Sequence, residues 1–265
     1  MSDITSLDSY IASAKQRVTW VKTASRTTIA AQWFSVFELA GSPGAGTLAG
    51  TSTTAGVVPT DATAGCPVLN AFGGSATGRI SKIEYGNSVA CRIAIFDMLF
   101  KAGAYSFNAN QTLSSQPSYS ARLPGTDYKG LEIWVETVTA ATGNQTWTVT
   151  YTDQDGNAGA TTGAVGIGSA PTLGRCWQLP LASGDSGVQK IESVVGGTGS
   201  AGTANILVLR PLWSGRVKVA NDGEVHDLLR TGMPQVYTDS ALIALVCADS
   251  TSSGIPEMTI EVANA

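Results

Sequence analysis

This sequence has no dense run of lysine and arginine. Its 265 residues hold 16 Lys and Arg against 20 Asp and Glu, a formal net charge of −4, and a protein that grips nucleic acid by its phosphates needs a concentrated basic surface. Nucleic acid is therefore not an expected partner. Nor is a membrane, because the most apolar stretch, ALIALVCA at residues 241–248, is far shorter than the roughly 20 residues that cross a bilayer. The opening MSDITSLDSY lacks the basic-then-apolar pattern of a secretory signal. Closely spaced thiols are missing too. Cys66, Cys91, Cys176 and Cys247 form no C-x-x-C pair of the kind zinc and redox sites use, which favours isolated, mostly buried thiols in a chain made in a reducing compartment, the cytoplasm, and leaves disulfides as the alternative.

Charge of either sign is scarce at 14%, whereas there are 30 glycines among abundant Thr, Ser and Ala. That mixture favours short strands and many turns. The length allows a large core, and an all-β domain of this size can be single.

Along the chain, Ile4, Leu7, Ile11, Ala14, Val18 and Val21 recur at helical spacing, and Ile29, Trp33, Val36, Phe37 and Ala40 repeat the pattern before Gly41 and Pro43 stop it. These predict an N-terminal helical arm over residues 1–41. The stretch that follows, GSPGAGTLAGTSTTAGVVPTDATAG, has few side chains able to anchor a core and reads as a linker or surface strap over 42–78. From residue 79 to 265 the texture is one of strands: RISKIEY, CRIAIFDMLF, LEIWVETVTA, TWTVTYT, ANILVLR, RVKVA, ALIALVCA and EMTIEVA. In residues 146–152, Trp147, Val149 and Tyr151 alternate with threonines, predicting one buried and one threonine face, and Asp155-Gly156 supplies a reversal directly afterwards. Helices between strands are hard to find, so the expected fold is mainly β, an antiparallel β-sandwich with an N-terminal helical arm.

No motif for catalysis or metal binding survives its context. GTGSAG at 197–202 fits G-x-G-x-x-G, but the TANILVLR after it reads as a strand, without the helix N-terminus that a pyrophosphate needs. DQDGN at 153–157 offers oxygen ligands, yet its glycine comes fourth and the twelfth position is Ala164, so turn chemistry accounts for it better than calcium. His226 is the one histidine and no nucleophile signature accompanies it, which makes it a loop or edge residue. No catalytic residue, metal or cofactor is expected. Trp134 and Trp147 read as strand core. Trp20, Trp33, Phe34 and Phe37, with Ile29 and Leu39 beside them, leave two readings open: packing onto the chain's own β domain, or contact with a neighbouring chain.

The order of a greasy opening, a Gly/Ala-rich strap and alternating strands, carried by WFSVFELAGSPGAG at 33–46 and TVTYTDQDGNAG at 148–159, resembles head decoration (cement) proteins of tailed bacteriophages. That resemblance implies a jelly-roll-like sandwich on the outer surface of a virion capsid, a symmetric oligomer (a homotrimer or a dimer) bridging major capsid subunits, and no catalytic residues. On this reading Trp20, Ile29, Trp33, Phe34, Phe37 and Leu39 are the candidate capsid or inter-subunit contacts. A tail or fibre component with a glycan-binding β-sandwich is the main alternative, and a cytoplasmic hydrolase centred on His226 ranks last.

Overall fold

Period-two burial, rather than a helical stripe, governs the first long element. The computed structural model describes residues 4–72, 77–144, 146–166, 170–197 and 201–264, and within it the expected helical arm reduces to α1 (Leu7–Ala12). Directly afterwards β1 (Lys15–Lys22) buries Val18, Trp20 and Lys22 while Arg17 and Thr19 face outward. The β-branched residues Val18, Thr19 and Val21 flank a tryptophan, a composition that suits a pleated, half-buried surface. The helical spacing of Ile4 to Val21 is therefore a coincidence beyond Ala12. The second expected helix is also corrected: it becomes β2 (Trp33–Ser35) and β3 (Gly41–Ser42) joined by a turn.

The remaining strands follow in order. They are β4 (Thr77–Asn87), β5 (Cys91–Ser106), β6 (Asn110–Thr112), β7 (Glu132–Thr139), β8 (Thr146–Asp153), β9 (Ala160–Thr161) and β10 (Val165–Gly166). After these come β11 (Arg175–Leu179), β12 (Val188–Gly196), β13 (Thr203–Val217), β14 (Asp222–His226), the short helix α2 (Leu228–Thr231), β15 (Gln235–Tyr237), β16 (Leu242–Ala248) and β17 (Glu257–Asn264). Every strand of the sequence reading is present except the last part of RVKVA, since β13 ends at Val217. In β8, Trp147, Val149 and Tyr151 are fully buried, as their alternation requires, and the chain reverses through Asp155-Gly156 to pair Tyr151 with Ala160.

All pairings among these strands are antiparallel. One sheet runs β14-β4-β17-β1-β3, with β15 on the same edge of β4 as β14; a second runs β10-β8-β12-β6, with β9 on β8. Between them, in place of a plain two-sheet sandwich, β11-β2-β16-β5-β13-β7 close into a barrel. Closure removes the free edges that an open sheet of these strands would expose. The long strands β5 and β13 pair from Cys91 against Val217 to Ser106 against Thr203. Each sheet packs against a different part of this ribbon, which gives two cores. One gathers Trp20, Ile83, Ile260, Ile95 and Trp213, and the other Trp147, Tyr151, Phe100, Ile133 and Ile206.

A buried ionic cluster joins the loops to the barrel. Asp97 on β5 is fully buried and meets Arg210 at 3.1 Å, Arg122 at 3.3 Å and the donating Ser240 hydroxyl at 2.8 Å. Arg122 also donates to the carbonyls of Pro59, Met98 and Asp239. The Gly-rich stretch lies along the barrel and is fastened to it. Lys101 Nζ donates to Thr47 O at 3.1 Å, Asn205 Nδ2 to Leu48 O at 2.7 Å, Tyr105 Oη to Thr53 O at 2.9 Å, and Val57 exchanges backbone bonds with Lys101. Its glycines permit this close approach: Gly56 has φ +68° and a Cβ there would fall on the Phe100 ring, two conditions that exclude other side chains.

Candidate functional site

The residues before β1 form an appendage built to stay in place. Ser6 and Ser9 cap α1 reciprocally, and Lys15 Nζ donates to the carbonyls of Tyr10 at 2.8 Å and Ser13 at 3.1 Å near the helix C-terminus, where a cation is favoured. Tyr10 Oη donates to Glu261 Oε1 on β17 at 2.9 Å, pinning the helix to the first sheet. Yet α1 buries none of its residues. Leu7 and Ile11, one turn apart on the same face, are 63% and 65% exposed. An anchored helix that presents two aliphatic side chains to solvent is an unmet apolar face.

The six residues singled out in the sequence divide. Trp20, Phe34 and Phe37 are buried in the chain's own body, with Lys101 Nζ 4.9 Å above the Phe37 ring. Packing onto the chain's own β domain accounts for these three. Ile29 and Leu39 are half-buried, and Leu39 O, together with Pro43 O, accepts from Lys22 Nζ at 3.0 Å. Burial holds that ammonium down to about 8. Trp33 is half-buried at the barrel rim, its ring edge-on to Trp134 and covered by the Arg92 guanidinium at 5.5 Å. The structure thus does not bring the six into one surface. Leu7 and Ile11, read in the sequence as part of a buried stripe, are the exposed apolar pair instead. The signal that could have found them is the short span between the Ser6 cap and Lys15.

His226 lies on the edge strand β14, close to the expected position, but it is buried and both ring nitrogens are engaged. Indole N–H can only donate, so Trp213 Nε1 at 2.9 Å makes Nδ1 the acceptor and places the neutral ring's proton on Nε2. Nε2 faces Tyr85 Oη at 3.2 Å and Glu224 Oε2 at 3.3 Å. Burial, with Glu224 beside it, pushes the Tyr85 phenol up to about 12. The bond from His226, with Lys218 nearby, holds the Glu224 carboxyl below its usual range. This network ties the first sheet to the barrel, and among the described residues no serine or cysteine is bonded to the imidazole.

The other motifs resolve as local structure. Asp153 accepts from the backbone N–H groups of Asp155 at 2.8 Å and Asn157 at 2.9 Å, so the DQDGN carboxylate is occupied by its own turn. A strand, β13, follows GTGSAG, whose residues 198–200 lie outside the described residues. Among the described residues no group of three or more His, Cys, Asp or Glu side chains comes together to hold a metal ion, and no helix is long and apolar enough to cross a membrane. The four cysteines are free and buried.

No family model matches the sequence, and no curated protein sequence matches it. Among solved structures, the chain is weakly similar to the structure of infectious bursal disease virus Gx strain, at 9% identity over 95% of this chain and 80% of that one, with a TM-score of 0.16. It is likewise similar to the infectious bursal disease virus VP2 subviral particle, at 10% identity over 94% and 79% of the two chains, with a TM-score of 0.19. Scores this low carry no statement about fold or function, so the reading of this chain rests on its own sequence and geometry.

Proposed function

We propose that this chain is a structural virion protein that binds the outer surface of a tailed-phage capsid as a symmetric oligomer, a trimer or a dimer, and bridges major capsid subunits. The observation that carries the reading is α1: a capped, anchored helix that keeps Leu7 and Ile11 in solvent on one face, beside the β body. Two aliphatic side chains contribute a modest contact each, about 1.5–3 kcal/mol when fully buried. Repeated around a symmetry axis, such contacts combine by avidity into a grip that opposes separation of the subunits beneath. No covalent step is required of the protein.

The test uses shells assembled without this protein, to which the full chain is added and pelleted. A variant carrying Leu7→Ser with Ile11→Ser should keep the thermal melting profile of the full chain, because both side chains are exposed, and one lacking residues 1–14 should melt lower for want of the Tyr10 and Ala14 bonds to β17 yet stay folded, while retention on shells falls at least tenfold for both. Full retention by both variants overturns the proposal.

A further inference from the structure

We infer that the recess at the seam between the barrel and the first sheet is a binding site for an acidic peptide segment, one that carries carboxylates next to apolar side chains. It is a cavity of about 410 Å³ in which Arg92, Arg216, Lys218 and Arg230 stand around Trp33 and the Tyr85 ring. This site stands on its own geometry and goes beyond the capsid reading, which rests on α1.

Charge is the first argument. In a chain of net charge −4, four cations meet at one recess, opposed nearby by Glu224 and Asp249. Glu224 lines the recess and is also bonded by Tyr85 and His226, and Asp249 is exposed, but the pairs these two make with the cations are long. Lys218 lies 3.5 Å and Arg230 3.6 Å from Glu224, and Arg216 lies 3.6 Å from Asp249, with the three cationic side chains 60–71% exposed. Exposed pairs of this length contribute about 0–1 kcal/mol, so an arriving carboxylate can displace them at little cost.

Arg92 is the second. Its guanidinium lies across the Trp33 face, and among the described residues it donates only to Cys247 Sγ at 3.4 Å, a weak acceptor. Among the described residues no carboxylate pairs with it. The stacking fixes the plane of the fork while leaving donors for bidentate recognition of a carboxylate. Trp33 itself is the third argument: of the six tryptophans, the other five are buried, and this one presents part of its ring to the recess. A cationic rim over an aromatic floor selects an anion attached to an apolar body. The aromatic floor and the room for a few side chains favour a peptide with apolar groups beside its carboxylates over a bare polyphosphate.

The experiment follows the six indole N–H resonances of the 15N-labelled full chain, with Trp33 assigned from Trp33→Phe. The probe is a capped peptide of alternating leucine and glutamate, its control the same peptide with glutamine for glutamate, and its competitor inorganic phosphate. The expected result is a saturable shift of Trp33 with the glutamate peptide, with Trp20 and Trp147 unmoved, and affinity at least tenfold weaker for the glutamine peptide and for Arg92→Gln. Arg92 is exposed, so that variant should melt like the parent. Equal binding of the glutamine peptide, unchanged affinity in Arg92→Gln, no saturable shift, or displacement by phosphate at concentrations equal to the peptide's would each overturn the assignment. Because α1 is untouched, Arg92→Gln leaves the shell test of residues 1–14 independent of this one.

Discussion

Lys22 offers the sharpest test of the packing around the strap. Its side chain is fully buried on β1, and withdrawal from water holds the ammonium from the ordinary 10.5 down to about 8 in the folded chain. Between those two values the unfolded chain binds more protons than the folded one, so stability rises with pH through this window and the gain is complete above 10.5. At about 1.4 kcal/mol per pH unit the total comes to about 3 kcal/mol. Buried thiols and phenols act in the opposite sense, since burial pushes Cys66 up to about 12 and Tyr151 up to about 12, and the unfolded chain loses those protons first. Lys22→Met separates the contributions, because the thiols and phenols are common to both proteins. Urea unfolding of the two at intervals from pH 7 to 11 gives the stability difference, parent minus variant. That difference should climb by about 3 kcal/mol across the window. A flat difference, or one that falls with pH, would refute the claim that Lys22 is carried into the fold at the expense of its charge.

Gly56→Ala should destabilise the chain by about 1–3 kcal/mol, from a positive φ and overlap with Phe100, measured as a lower urea midpoint at unchanged slope. Asp97→Ala leaves Arg122 and Arg210 buried without their carboxylate and should cost about 3–5 kcal/mol, with protease cleavage of the strap as a second readout. The four thiols should be silent toward a thiol-reactive disulfide reagent in the native chain and titrate as four after unfolding, since burial keeps Cys66, Cys91 and Cys176 protonated above their usual range; rapid native reaction would contradict their placement.

Strands were legible in the sequence in two ways: β8, β4 and β17 from alternation, because one face of each is the more deeply buried, and β5 and β16 from continuous apolar runs, because both of their faces are buried. β1 was misread because Val18 and Val21 are also three apart, and eight residues are too few to separate a period of two from one of 3.6 when a real helix, α1, precedes them. β11 and β12 were missed since RCWQL and VQKIESVVG carry polar residues whose partners come from far along the chain, such as Glu192 with Thr152. A helical arm outside the strand body was legible, but not that it ends at Ala12 and leaves Leu7 and Ile11 in solvent. Leu7 and Ile11 look like core residues, and only the pairing of β1 with β17 decides that the core is already filled. The seam was invisible for the same reason, as Trp33, Arg92, Arg216 and Arg230 are spread over almost 200 positions of sequence.

The ribbon of β5 and β13 gives the molecule one further property. Because the same two strands thread both cores, neither half can melt away and leave the other intact without parting the hydrogen-bonded ladder they share. A tug applied at either end is therefore relayed through continuous polypeptide instead of a hinge, and calorimetry should record a single endotherm whose van't Hoff and measured enthalpies agree. Two resolved peaks would mean that the halves are mechanically independent after all.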